Sequence, residues 1–434
     1  NIYEFEKIIP KETKILAVVK ADAYGHGAAM CASTLIASGV DMFGVSSIDE
    51  GMQLREAGVE IPILILGTSP DWAFASAIEN NLTLAIYNDE HIQACRDLYE
   101  KHGLKAQVHV KVNTGMNRIG VSSEEAINFI SKVKKCEFLS LTGVFTHFAC
   151  AESEEETKHQ VERWNRVYGA FEEDKNIIFH CSNTAATIAF NLKFDMVRVG
   201  IGLYGLLPDL PEGDYYVPQV KQAMSLKGRV VNLFEVPPGE GVSYSFTYRT
   251  DKTTRIATIP IGYADGVLRG LSNKIYGIVN GQKVRQIGNI TMDQMMFDVT
   301  GVDVKKGDVI TLLSEEISVD EWAKILGTIS YELTCLLKSR LPRIYTRSIK
   351  MANNLPKTVG LKPFVNTVKP VAQPEEQQQV TIKDIFKPVS KLFRFVDPVA
   401  QSPEMLDYLV TQQHVESVQA LTSSKLGNKL DFKA

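Results

Sequence analysis

No Cys-x-x-Cys pair occurs among the six cysteines, and their spacing is irregular. That excludes a disulfide-stapled secreted scaffold and a thiolate metal motif. It points instead to reduced, mostly buried thiols in a cytoplasmic protein, and no metal site is expected. No apolar run approaches the length of a membrane helix, so no membrane partner is expected. An excess of positive charge is also missing. The formal net charge is −4, which gives no footing for a nucleic-acid partner. The opening residues, Asn1 to Lys7, do not read as a secretory leader. What remains is ordinary globular material, 44% hydrophobic and 23% charged over 434 residues, enough for two domains.

From Ile15 the chain alternates short apolar runs with helical patterns. Strands are predicted at 15–19, 42–46, 63–66, 82–86, 107–112, 141–146, 177–180 and 196–199, each but the last followed by a helix. Eight such units predict an α/β fold, a (β/α)8 barrel over residues 1–224; a doubly wound open sheet is the structural alternative. In the barrel, reactive groups collect at the C-terminal ends of strands. Lys20 follows the first strand, Arg118 the fifth and His147 the sixth. Asn183 and Thr184 follow the seventh, and Arg198, Gly200 and Ile201 close the eighth. After Val220 the pattern changes to strands separated by Gly, Pro and Asn turns, which predicts a mostly-β domain over 225–352. Residues 353–434 begin with Pro356, Pro363, Pro370 and Pro374 and a Glu-Gln run, and read as a linker and extension. A helix start is predicted there at Ser402-Pro403-Glu404.

The most informative stretch is Val18-Val19-Lys20-Ala21-Asp22-Ala23-Tyr24-Gly25-His26-Gly27. A lysine closing a buried strand is costly unless its amine is used, because burial lowers its pKa and frees it for Schiff-base chemistry. By itself the segment also reads as a strand ending in a solvated lysine. The stretch resembles the pyridoxal-phosphate attachment motif of alanine racemases. The resemblance extends over about residues 1–350 through Thr114–Gly120, Arg198–Gly205, Pro260–Gly266, Gly288–Gln294 and Arg340-Leu341-Pro342-Arg343.

The resemblance implies pyridoxal 5'-phosphate as cofactor, with Lys20 as Schiff-base lysine and base for the D-enantiomer. Tyr263 is implied as the base for the L-enantiomer, reaching into the other subunit of a head-to-tail homodimer. Met292 would bind the substrate carboxylate through its backbone amide, also from the partner, and Tyr24 and Thr184 would hold phosphate. Lys111 matches a position often carbamylated in the family. The residues fit these needs. The Asn183-Thr184 turn and the glycine-rich Gly200–Gly205 segment offer amides and hydroxyls to a phosphate, although Gly200–Gly205 alone reads as a turn. Arg198 stays protonated and can only donate, so a pyridine nitrogen facing it remains an acceptor and the ring a weaker electron sink than one paired with a carboxylate. That favours simple proton exchange; a salt-bridged rim arginine is the bland alternative. Arg118 can pair with a substrate carboxylate or the cofactor's phenolate oxygen. His147 is equally a satisfied core histidine. Tyr263 needs a pKa lowered by nearby cations, for which His147 and Arg198 are candidates; tyrosines beside Gly and Ala more often pack turns.

The expected activity is interconversion of L- and D-alanine by two-base proton transfer, supplying D-alanine for peptidoglycan. Three departures from the family pattern stand out. Ser339 lies where a tyrosine usually narrows the pocket, which raises a serine or broad-specificity racemase as the alternative. Thr184 replaces a serine, and Thr291 a frequent cysteine. A basic-amino-acid decarboxylase shares the layout, but Arg198 argues against it. A small non-catalytic pyridoxal-phosphate protein would lack the β domain.

Overall fold

The computed structural model describes residues 1–346. The predicted linker, the helix start at Ser402 and the last residues of the predicted 225–352 domain lie outside them. The first helix is Ile2–Glu6 (α1), with Phe5 fully buried. Eight parallel strands follow: Lys14–Val18 (β1), Met42–Val45 (β2), Ile63–Ile65 (β3), Leu84–Ile86 (β4), Ala106–Asn113 (β5), Leu139–Phe145 (β6), Ile178–His180 (β7) and Met196–Val199 (β8). They are near-continuous apolar runs because helices cover their outer face.

Hydrogen-bonded registers join β3-β2-β1-β8 in one order and β4-β5-β6-β7 in another. Two seams close the ring. Ile65 N donates to Thr83 O and Thr83 N to Ile63 O; on the opposite side Asp195 N donates to Phe179 O and Arg198 N to Ser182 O. The predicted barrel is therefore present, and the open sheet is not. The covering helices start where the sequence supplies caps: Ser47 accepts from Glu50 N, Asn88 from His91 N and Ser153 from Glu156 N.

The second domain is a seven-stranded antiparallel sheet. Its strands are Leu226–Arg229 (β9), Asn232–Val236 (β10), Thr254–Ile259 (β13), Tyr276–Val279 (β14), Gln282–Ile287 (β15), Met295–Asp298 (β16) and Val309–Leu313 (β17). A small hairpin, Gly241–Val242 (β11) with Tyr248–Arg249 (β12), stands apart from that sheet. Helix Val319–Leu326 is capped by Ser318 and ends on Gly327 in the left-handed region, as its pattern predicts. The helix Ser330–Leu336 was not legible in the sequence. It has no side-chain cap; tertiary packing forms it, with Leu333 and Thr334 buried. This helix rests on the loop that follows Lys20, and so couples the β domain to the barrel rim.

Candidate active site

Lys20 follows β1 and opens a turn of unusual conformation. Ala21, Asp22, Ala23 and Tyr24 all have left-handed backbones, with φ of 52°, 53°, 55° and 53°. Each such L-residue costs about 1–2 kcal/mol, so the turn is held by its surroundings. Glu50 grips it at one end: Oε1 accepts from Ala21 N and Oε2 from Ser46 N, both at 2.7 Å. Asp22 Oδ1 accepts from Ala28 N at 2.8 Å. At the far end Arg343 Nε donates to Gly25 O at 3.0 Å. A Cβ on Gly25 would lie 2.2 Å from Thr334 O of the helix Ser330–Leu336, so only glycine fits that contact. The turn leaves Lys20 half-buried, and burial, then the charge of Arg118, lowers its pKa. Arg118 itself is exposed and makes no hydrogen bond among the described residues.

On β8, the strand paired with β1, Arg198 is buried and its outer nitrogens are saturated. Nη1 donates to His180 Nδ1 at 2.9 Å and His180 O at 3.0 Å. Nη2 donates to Thr146 O at 2.7 Å, Cys181 O at 2.8 Å and His147 Nδ1 at 3.2 Å. Burial lowers its pKa to about 10, which leaves it fully charged at neutral pH. Of its five N–H groups only Nε–H lacks a partner among the described residues. The salt-bridged alternative is absent, because every acceptor is neutral. His147 is not the cation the sequence reading needed. Its Nδ1 accepts from Arg198, and burial followed by the Arg198 charge holds it well below the usual imidazole pKa. Lys111 is buried with its Nζ 4.4 Å from the Phe145 ring centroid. Burial, Arg198 and Arg118 push its pKa well down.

Groups able to hold an anion gather beside Arg198. Thr184 Oγ1 accepts from Gly200 N at 3.0 Å, which leaves the hydroxyl proton free to donate. Asn183 caps the helix Thr184–Ala189 by accepting from Ala186 N. Ile201 opens the next 3-10 turn, so its amide has no partner within that turn. Tyr24 is buried between Tyr204 and Tyr331, and its hydroxyl makes no hydrogen bond among the described residues. A Cβ on Gly200 would sit 2.8 Å from that hydroxyl and fill the space. The residues fit pyridoxal phosphate on these observations: an amine at Lys20, a lone N–H donor at Arg198, and hydroxyls at Tyr24 and Thr184 beside a glycine-cleared gap.

Tyr263 and Met292 lie on the β domain and belong to one loop pair. Tyr263 N donates to Thr291 O and Ala264 N to Met292 O, each at 3.0 Å. Arg340 clamps the pair through Asp265 and Asp293, and Lys338 N donates to Asp265 O. Tyr263 is therefore tied to the segment that follows the helix Ser330–Leu336. Met292 is 53% exposed. One residue the sequence reading passed over is Tyr244, 73% exposed on the turn between β11 and β12. Ser243, Ser245 and Phe246 around it have φ of 64°, 60° and 46°. Asn289 Nδ2 donates to Tyr244 O, and Ser243 Oγ donates to Asn289 O, both at 2.7 Å. The available signal was an aromatic set among serines between two short strand-like runs.

The fold defines a two-domain barrel enzyme. The family model for the alanine racemase N-terminal domain matches residues 1–208, and that for the C-terminal domain matches residues 223–345. The chain is 41% identical over 358 residues to alanine racemase 1 of Oceanobacillus iheyensis, covering 80% of this chain and 94% of that protein. It is 39% identical over 356 residues to the alanine racemase of Synechocystis, covering 79% and 95%. Among solved structures it resembles alanine racemase of Clostridium difficile 630, with TM-score 0.73, 38% identity, and coverage of 78% and 90%. The structure of alanine racemase from Bacillus anthracis with bound L-Ala-P gives TM-score 0.72, 34% identity, and coverage of 80% and 92%. The chain belongs to the alanine racemase family, and it is a racemase. No helix among the described residues is long and apolar enough to cross a membrane.

Proposed function

We propose that the enzyme interconverts L- and D-alanine with pyridoxal phosphate held between the Lys20 and Arg198 rims. It would act as a cytoplasmic homodimer that supplies D-alanine for peptidoglycan. The observation that carries this reading is the Arg198 guanidinium, with every N–H but Nε–H committed to neutral acceptors. When bound, pyridoxal phosphate acidifies the substrate Cα–H, and its ring nitrogen would accept from Arg198 Nε–H. Tyr24, Thr184 and the Gly200 and Ile201 segment would hold its phosphate, with Asn183 ordering the turn. Arg118 would pair with the substrate carboxylate, and the Met292 amide of a second copy would donate to the same carboxylate.

Racemisation moves a proton on each face of the Cα. Lys20, with its pKa lowered by burial, would take and return the proton on one face. For the other face, two observations favour Tyr244 over Tyr263. Tyr263 sits on a loop anchored to its own chain's closing segment, which opposes its reaching into a partner. Tyr244 projects from a strained turn bonded to the Met292 loop, so a second copy's site could receive both together. Strained backbone of this kind clusters at functional sites. Both tyrosines are tested by Phe variants in deuterated water. Tyr244→Phe should abolish Cα exchange from L-alanine, and Tyr263→Phe should leave most of it. The reverse outcome returns the role to Tyr263, and retention in both removes the two-base scheme.

A broader specificity is the second reading. Ser339 is exposed, and its side chain makes no hydrogen bond among the described residues, so nothing fills the place of a larger side chain. Ser339→Tyr should raise the alanine-to-serine preference by about 1–3 kcal/mol in transition-state terms. Equal ratios in both enzymes would discard the idea.

A further inference from the structure

The barrel interior carries a polar chain that the chemistry above does not use. His180 Nδ1 lies 2.9 Å from Arg198 Nη1, and His180 Nε2 lies 3.0 Å from His109 Nδ1. His109 is fully buried, and its Nε2 has no hydrogen-bond partner. An orphaned buried imidazole nitrogen is unfavourable and calls for a reason. The fold also makes room for this ring. The β5–β6 register shifts between Val108 and His109, and bulges of this kind re-aim side chains near active sites. Opposite the shift stands Gly143, where a Cβ would lie 2.5 Å from His109 Cε1.

Donor counting places each proton along the chain. Arg198 can only donate, so His180 Nδ1 must accept and His180 must carry its proton on Nε2. That proton is donated to His109 Nδ1, so His109 keeps its own on the orphaned Nε2. The other His180 tautomer would set N–H against the Arg198 N–H. The groups facing the pair are Arg198 from β8, Lys111 from β5 and the Phe145 ring, stacked 5.0 Å from His180. No carboxylate is hydrogen-bonded to the chain among the described residues.

We propose that His109 is a positioning residue, which accepts the Nε2–H that Arg198 imposes on His180 and so holds the His180 ring where it keeps Arg198 Nη1 engaged and its Nε–H free for the cofactor ring. The last step rests on the reading of Arg198 as the ring's partner; the His180–His109 hydrogen bond does not. The test uses histidine-labelled ¹⁵N holoenzyme, as wild type, His109→Leu and His109→Asn. Wild-type His180 should show a protonated Nε2 and a bare Nδ1. His109→Leu removes the acceptor at similar volume. His180 keeps its tautomer under Arg198 but its Nε2–H has no acceptor, so the His180 Nε2 resonance should shift, and kcat should fall by about tenfold, the rate equivalent of one hydrogen bond, with KM nearly unchanged. His109→Asn, whose carbonyl can replace Nδ1, should restore both readouts. A wild-type His180 protonated at Nδ1 overturns the proposal, as does an unchanged spectrum in His109→Leu or an equal loss in both variants. If His109→Leu does not fold, the wild-type spectrum and His109→Asn decide. A correct tautomer in a protein that fails to bind pyridoxal phosphate would count against the cofactor reading alone.

Discussion

The two rims of the site are held in opposite ways. The Lys20 rim is four consecutive left-handed residues kept in place from outside, by Glu50 on the next helix and by Thr334 and Arg343 of the closing segment. The Arg198 rim is an ordinary strand residue kept in place from within, by acceptors on neighbouring barrel strands and the loops after them. Strain needs external support, so the lysine end is coupled to the β domain. A saturated guanidinium needs only its own barrel, so the arginine end is a fixed reference. In the proposed function the moving proton would belong to the coupled end and the electronic setting to the fixed one.

Breaking the fixed end should have the largest effect. Arg198→Leu strands the Thr146, His180 and Cys181 carbonyls and the His180 and His147 imidazoles without their donor. A loss of a few kcal/mol of folding stability is expected, since each stranded buried acceptor costs about 1–3 kcal/mol, read as a lower denaturant midpoint. Breaking the coupled end should cost less. Glu50→Gln turns one of two accepting oxygens into a donor facing an N–H, worth about 1–3 kcal/mol. Its signature should be weakened cofactor attachment at Lys20 with a modest midpoint shift. Should Glu50→Gln unfold the protein more readily than Arg198→Leu, the contrast between the rims is wrong.

Acid should act through the fixed end. His109 is lowered to about 3, and His180 and His147 are well below their ordinary value, in each case first by burial. These rings are neutral when folded and take up protons when unfolded below about pH 6.5. The unfolded state then binds more protons, so stability falls as pH drops from about 6.5 toward the folded-state values. The slope should reach about 1.4 kcal/mol per pH unit for each histidine. Denaturation midpoints from pH 7.5 to 5 check the slope, and replacing His109 by Asn should reduce it.

The barrel was legible because its signal is local. Eight apolar runs such as Ile15–Val19 and Met196–Val199 survive as strands within a residue or two, and Lys20, His147, Thr184 and Arg198 fall at their ends. The rest depended on contacts distant in sequence. Nothing in Ala21-Asp22-Ala23-Tyr24 signals a left-handed turn, since neither alanine nor tyrosine favours it; Glu50 and Thr334 impose it. His109 carries no sequence signal of its own, because its partner His180 lies 71 positions away. His147 was a cation candidate only until Arg198 was seen to donate to it. Tyr244 was passed over because its turn draws its identity from Asn289.

The smallest effect gives the sharpest comparison. Ala21→Gly removes a left-handed penalty of about 1–2 kcal/mol and adds about 0.5–1 kcal/mol of unfolded-state entropy. The net should be neutral to slightly stabilising, and Ala21 is exposed, so little packing is lost. The same change at Ala186, in the helix Thr184–Ala189 of the other rim, meets no strain to relieve. It should destabilise by about 1 kcal/mol from propensity and further from the lost buried methyl. Thermal midpoints of the two variants should therefore move apart, Ala21→Gly at or above wild type and Ala186→Gly below. If Ala21→Gly falls as far as Ala186→Gly, the Lys20 turn is not strained in solution, and the division of labour between the rims loses its physical basis.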